Sequence, residues 1–136
     1  MPKNCLFCNI VKGLVPSYKI TENNKVLVFL DIYPQTKGHT LVIPKSHSVN
    51  ILDTPNQEVE AVYKMVKKVC LALKKSLKVN DFLVKSHNGV LAGQEIGHFH
   101  VHIIPCYDSN CKNKKREEAK KEYLRRLQKT ISSHLD

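Results

Sequence analysis

Histidines occupy every second position at His98, His100 and His102, with Phe99, Val101 and Ile103 between them. In a strand this alternation sends the three imidazoles to one face and the three apolar side chains to the other. The segment His98–Ile104, halted by Pro105, therefore predicts a strand with one greasy face and one chemically active face. Three uses of the active face are open. The imidazoles can simply be solvated. Two of them can share a metal: neighbours on a strand lie about 6.5–7 Å apart, close enough to tilt toward one zinc at about 2 Å. Three span about 13 Å, too far to converge comfortably. In the third use, a neutral imidazole attacks phosphorus while its neighbours donate protons to phosphate oxygens or a leaving group. The loop Ala92-Gly93-Gln94-Glu95-Ile96-Gly97 just before the strand suits this, because backbone amides beside glycines can hold an anion.

The remaining segments supply a sheet and a helix to cover it. Val26–Leu30 and His39–Ile43 read as an antiparallel pair joined by the turn-prone Pro34–Gly38 stretch, and Phe82–Ser86 as a further strand ending at an Asn88-Gly89 turn. The helix signal is stronger. Thr54 precedes Pro55 at the first helical position and Gln57 completes a capping box. Val59, Val62, Val66, Val69, Cys70, Leu73 and Leu77 then form one apolar stripe. Strands, helix and strands with short links predict an α+β fold with a mainly antiparallel sheet. Tyr123, Leu124, Leu127 and Ile131 predict an amphipathic C-terminal helix.

The 136 residues suit one domain, and 42% hydrophobic with 25% charged residues argues against disorder. No apolar run approaches the length of a membrane span or a secretory signal. The formal charge of +10 favours anionic partners. It is concentrated in the tail, where nine basic and four acidic side chains lie between Lys112 and Asp136. That tail reads as a packed amphipathic helix, as a field that attracts phosphate, or as a weak nucleic-acid contact. The last is disfavoured because no recognition motif or set of stacking aromatics accompanies the charge. Five cysteines, an odd number, with no secretory signal imply reduced thiols and a cytoplasmic setting. Cys106 and Cys111 are expected as free thiols. Cys5-Leu6-Phe7-Cys8 can be a redox pair, two buried thiols, or half of a zinc site that needs two more ligands.

His98-Phe99-His100-Val101-His102-Ile103-Ile104 resembles the signature of the histidine triad (HIT) superfamily. The likeness extends to the opening Cys5–Gly13 segment with Pro16, Phe29–Pro34, Lys37–His47, Asn88-Gly89 and Ala92–Ile96. It is similar to the Hint-like, protein kinase C interacting protein-like branch. The resemblance implies a HIT-like fold: a five-stranded, mainly antiparallel sheet, one long helix across it and a C-terminal helix. It divides the chain into a HIT domain at 1–111 and a basic helical tail at 112–136.

The resemblance further implies a purine nucleotide-binding hydrolase acting on AMP or GMP conjugates, a nucleoside phosphoramidase. His100 would attack the α-phosphorus to form a nucleotidyl-histidine, and His102 would contact phosphate and assist the leaving group. Asn88, Gly93, Gln94, Glu95 and Ile96 would hold the phosphate end, His39 would line the site, Asp31 would bind ribose hydroxyls, and Ile32 would flank the base. Cys5, Cys8, His47 and His98 would hold a structural Zn2+ in a Cys2His2 site. A homodimer is implied as well. Dinucleoside polyphosphate hydrolysis and a non-catalytic nucleotide sensor or adaptor are the alternatives. One departure is local: relatives carry arginine after Ile-Pro, whereas this chain has Cys106, so no role for that arginine is carried over.

Overall fold

A computed structural model describes residues 2 and 4–135. Five strands form one antiparallel sheet in the order β1-β2-β3-β5-β4: β1 (Lys19–Glu22), β2 (Val26–Leu30), β3 (Thr40–Pro44), β4 (Asp81–Lys85) and β5 (Val101–Cys106). Among the described residues three α-helices accompany it, α1 (Leu6–Val11), α2 (Asn56–Leu77) and α3 (Lys121–Ser132), with short 3-10 turns at Val90–Ala92 and Cys111–Asn113. Among the described residues no helix is long and apolar enough to cross a membrane.

Both faces of the sheet centre are covered, so every residue of β2 and β3 is buried. Such strands read as continuous apolar runs rather than alternating ones. Val26, Val28, Leu30, Val42, Val101 and Ile103 face α2, whose Val62, Met65, Val66, Val69 and Leu73 complete the main core. Leu27, Phe29, Leu41 and Ile43 face the other way, toward Cys5, Phe7 and Cys8 in and beside α1. The second layer is thin, and it leaves room for a site.

The C-terminal tract joins the main core through Leu124, Leu127 and Ile131, and α3 also covers the edge strand β1. Ser132 Oγ donates to the Ile20 carbonyl at 3.0 Å and Gln128 Nε2 to that of Lys19 at 2.8 Å. Strand β1 escapes a sequence reading because Ile20 is its one buried residue and a bulge interrupts its pairing.

Three local expectations are corrected. Thr54 does not cap α2. Pro55 is the N-cap residue, without a side-chain cap, and the Thr54 hydroxyl donates to the Asn50 carbonyl at 2.7 Å. The histidine strand begins its ladder at Val101 rather than His98: the Phe99 amide pairs with the Ser48 carbonyl at 2.9 Å instead of with a sheet neighbour. Nor does Pro105 end the strand. Pairing with β3 stops at Ile103, while β4 continues opposite Pro105 and Cys106. The Pro105 carbonyl accepts from Thr36 Oγ1 at 2.6 Å, so its missing N–H lies on a side where the ladder has already ended.

Gly38 shows a close approach. It adopts φ +88°, and a Cβ there would stand 2.5 Å from Leu77 Cδ1. The positive φ favours glycine at this point of the β2–β3 connection, and a Cβ would also displace the Leu77 side chain at the end of α2.

Candidate active site

The histidine alternation survives although the ladder starts late. Phe99, Val101 and Ile103 enter the main core, while His98, His100 and His102 are buried on the opposite side at 0%, 6% and 6% exposure. The solvated reading of the imidazoles is excluded.

At one end of this row, Cys5, Cys8, His47 and His98 bring four ligand atoms within 4.8 Å of one another. Cys8 Sγ lies 3.3 Å from His47 Nδ1 and 3.5 Å from His98 Nδ1, and Cys5 Sγ lies 3.4 Å from His98 Nδ1. Tetrahedral zinc with sulfur at about 2.3 Å and nitrogen at about 2.0–2.1 Å sets such edges at about 3.6 Å, so the donor set fits. The His98 tautomer fits too. Its Nε2 faces the Pro44 carbonyl at 2.8 Å; a carbonyl only accepts, so Nε2 carries the proton and Nδ1 presents its lone pair to the cluster. Burial and the adjacent Cys5 sulfur push the Cys8 thiol up to about 11; two thiolates this close require a cation between them.

Beyond His98 the row opens into a cavity of about 320 Å³. Apolar side chains from both layers (Leu6, Phe7, Ile10, Val15, Phe29, Leu41 and Ile96) form one part of its wall, and Asp31, His87, His100, His102 and Arg116 supply polar groups. The hydrogen bonds fix each imidazole by elimination. His100 Nδ1 lies 2.7 Å from the His98 carbonyl, so it donates there and Nε2 holds the lone pair. The Gln35 amide donates to His39 Nδ1 at 2.9 Å. His39 therefore carries its proton on Nε2, which lies 2.9 Å from His102 Nδ1. His102 accepts that bond and keeps its proton on Nε2. Burial, with Arg116 and neighbouring cations or imidazoles adding to it, holds His39 down to about 3 and His102 to about 2. Both are neutral near pH 7. The 3.6 Å approach of His39 Nε2 to Asp31 Oδ2 is thus a dipolar contact rather than an ion pair.

Asp31, 5% exposed, accepts from the Tyr33 amide at 2.8 Å through Oδ1 and from Arg116 Nη2 at 2.7 Å through Oδ2. Burial nevertheless pushes its carboxyl up, outweighing both donors. Asp31, His39 and His102 also bring ligand atoms close together. The guanidinium on Asp31 and the proton between the two imidazoles already occupy those lone pairs.

A model of the HIT domain matches residues 12–109. The chain belongs to the HIT family. An adenosine 5'-monophosphoramidase of Schizosaccharomyces pombe is 40% identical over 102 residues, covering 75% of this chain and 74% of the relative. A Hit-like protein of Bartonella henselae, described as involved in cell-cycle regulation, superposes with a TM-score of 0.89 at 32% identity over 99% of each chain. A Zn-bound histidine triad family protein of Mycobacterium smegmatis gives 0.83 at 32% identity, covering 96% of this chain and 94% of that one.

Within this HIT fold, the residues expected to bind nucleotide divide into two groups. Asp31, Ile32, Gly93, Glu95, Ile96, His100 and His102 line the cavity. His39, Asn88 and Gln94 do not. His39 stands behind His102 and sets its tautomer. Asn88 is turned away, donating to Ser86 Oγ at 3.0 Å and accepting from the Ile51 amide at 2.8 Å. Gln94 braces the glycine loop, accepting from the Gly89 amide at 2.9 Å and donating to the Val49 carbonyl at 2.6 Å and the Ile96 carbonyl at 2.9 Å.

Sequence reading misses four polar cavity residues, Ser17, Tyr33, His87 and Arg116. His87, next to the Asn88-Gly89 turn, lies 5.5 Å from His102 between ring centroids, and burial lowers its affinity for a proton. Its place beside that turn was the available signal. Arg116 gave none inside the charge run. The free-thiol expectation is also corrected: Cys106 and Cys111 form a disulfide with Cα atoms 5.2 Å apart, because the turn after β5 folds Cys111 back.

Proposed function

We propose that this chain is a purine nucleotide phosphoramidase that splits the phosphorus–nitrogen bond of AMP- or GMP-linked amines through a covalent intermediate on His100. The observation that carries the reading is the locked His100 ring. Its Nδ1–H is committed to the His98 carbonyl, so Nε2 meets the cavity with its lone pair and has no hydrogen bond among the described residues. The S. pombe relative, an adenosine 5'-monophosphoramidase, supports the substrate class.

In the first step Nε2 attacks the α-phosphorus, the P–N bond breaks, and the amine leaves after taking one proton from water at the cavity mouth. His102 Nε2–H steadies a phosphoryl oxygen. In the second step water attacks phosphorus, the bond to Nε2 breaks, and a proton returns to solvent, so one water is consumed overall. The apolar wall takes the base. In this reading Zn2+ on Cys5, Cys8, His47 and His98 is structural and ties the N-terminal segment to the histidine row; four protein ligands leave no open position for chemistry. A homodimer belongs to the same reading, supported by the free edge of β4.

The test is a panel of AMP-amine conjugates, GMP counterparts and dinucleoside polyphosphates against the wild type and His100→Ala. Turnover of the conjugates is expected to fall by at least about a thousandfold in the variant while AMP still binds. Full activity without His100 refutes the mechanism. Faster turnover of polyphosphates redirects the substrate class, and tight AMP binding without turnover identifies a sensor.

A further inference from the structure

The cavity lacks positive charge where a phosphate would sit, apart from one residue. Among the described residues lining it, Arg116 is the only permanent cation. Burial lowers the proton affinity of the lining imidazoles His87, His100 and His102, and Asp31 and Glu95 are acids. A bound phosphate loses most of its hydration, and neutral donors compensate that loss far less well than a charged one.

Arg116 lies beyond the 12–109 span of the HIT domain, on a strap that the sheet does not include. Its position is nevertheless firmly determined. The Cys106–Cys111 disulfide closes the first turn of the strap. Gln35 Nε2 then donates to the Cys111 carbonyl at 2.6 Å and Tyr107 Oη to that of Lys37 at 2.7 Å. Arg116 Nε donates to the Tyr33 carbonyl at 2.8 Å and the Ala119 amide to that of Ile32 at 2.9 Å. All four of these hydrogen bonds fall on the β2–β3 connection that begins with Asp31. The strap and the acid therefore form one unit, with the guanidinium at the cavity wall.

We infer that Arg116 is a substrate-binding residue that pairs with a phosphate of the nucleotide, held in readiness by Asp31. The guanidinium has five N–H donors in a planar fork, of which the structure commits Nε to Tyr33 and one Nη2 proton to Asp31. The side chain is 37% exposed, so the remaining donors are reachable from the cavity. Asp31 neutralises the cation while the site is free and keeps the long side chain from wandering, which reduces the entropy lost on binding. The inference rests on the nucleotide reading of the cavity and adds a phosphate contact supplied by the C-terminal strap.

Calorimetric titration with adenosine, 5'-AMP and adenosine 3',5'-bisphosphate tests it in the wild type, Arg116→Ala, Arg116→Gln and Arg116→Lys. Loss of the charge is expected to weaken binding of the phosphorylated ligands by about 10- to 100-fold, leave adenosine within about twofold, and be partly rescued by lysine. A loss shared by both phosphorylated ligands assigns the contact to the 5'-phosphate; a loss confined to the bisphosphate assigns it to the 3'-phosphate. Equal weakening for all three ligands overturns the inference, since Arg116 would then only brace Asp31. Unchanged binding in all variants overturns it too. If the wild type binds neither adenosine nor 5'-AMP, the nucleotide reading fails first. The glutamine and lysine variants keep the test open if alanine unfolds the protein.

Discussion

His98 and His100 are two residues apart, equally hidden, and point to the same side of the sheet, yet opposite ring nitrogens are freed. His98 gives its Nε2 proton to the Pro44 carbonyl and turns Nδ1 to two sulfurs. His100 gives its Nδ1 proton to the His98 carbonyl and turns Nε2 to the cavity. Backbone carbonyls decide both cases. One imidazole closes a donor cluster and the next opens a reactive site because different backbone acceptors lie behind them. The residue type alone carries no such information.

The comparison breaks most visibly if the two ends exchange roles. With zinc held as proposed, stripping it with a chelator, or Cys8→Ser, removes an interaction on the order of 10 kcal/mol in apparent terms. The melting temperature is expected to fall by more than about 10 °C, while kcat of the folded protein at low temperature changes only several-fold. A lost kcat with an unmoved melt would place the cluster in the chemistry. His100→Ala should do the reverse, removing turnover and shifting the melt by only a few degrees, because one side of its ring faces the cavity and only the other packs on Phe7. A melt as damaged as that of the metal-free protein would make His100 structural.

How much of this was legible in the sequence follows from distance along the chain. Apolar runs and period-two and period-3.6 patterns are all local, so β2, the two-faced histidine segment and α2 could be read directly. The Cys5/Cys8 spacing left a redox pair, two buried thiols and half a metal site open; His47 and His98 join the pair only through the fold, and the family resemblance supplied them. Arg116 could not be read: 85 positions separate it from Asp31, and within a run of basic residues no spacing distinguishes the one that turns inward. Asn88, which the resemblance assigned to the phosphate end, shows another dependence on the fold: in this structure Ser86 and Ile51 take its side chain. The disulfide likewise depends on a turn that the cysteine count does not reveal.

Acid offers a finer separation of the two ends. His39 and His102 are held to about 3 and about 2 against an ordinary 6.5. Below pH 6.5 the unfolded chain takes up protons at these positions and the folded chain does not. The linkage slope then lowers stability as pH falls, by up to about 1.4 kcal/mol per pH unit for each histidine. The contribution is complete above pH 6.5 and drains as pH approaches the folded values. Glu22, held down to about 2 by Lys19 and Lys45, has the same sign but responds only below the ordinary carboxylate range. Asp31, raised by burial, has the opposite sign and trims the slope. Urea unfolding at pH 6.5, 5.8 and 5.0 covers this window, in which His87, His98 and His100, also lowered by burial, act with the same sign, so the contribution of His39 and His102 is read from the difference between wild type and variant. In His39→Gln/His102→Gln the dependence on pH is expected to be shallower than in the wild type, while the Cys5/Cys8/His47/His98 cluster is the same in both. Parallel curves would show that His39 and His102 charge in the folded protein, and the neutral chain from Gln35 through His39 to His102 would have to be abandoned.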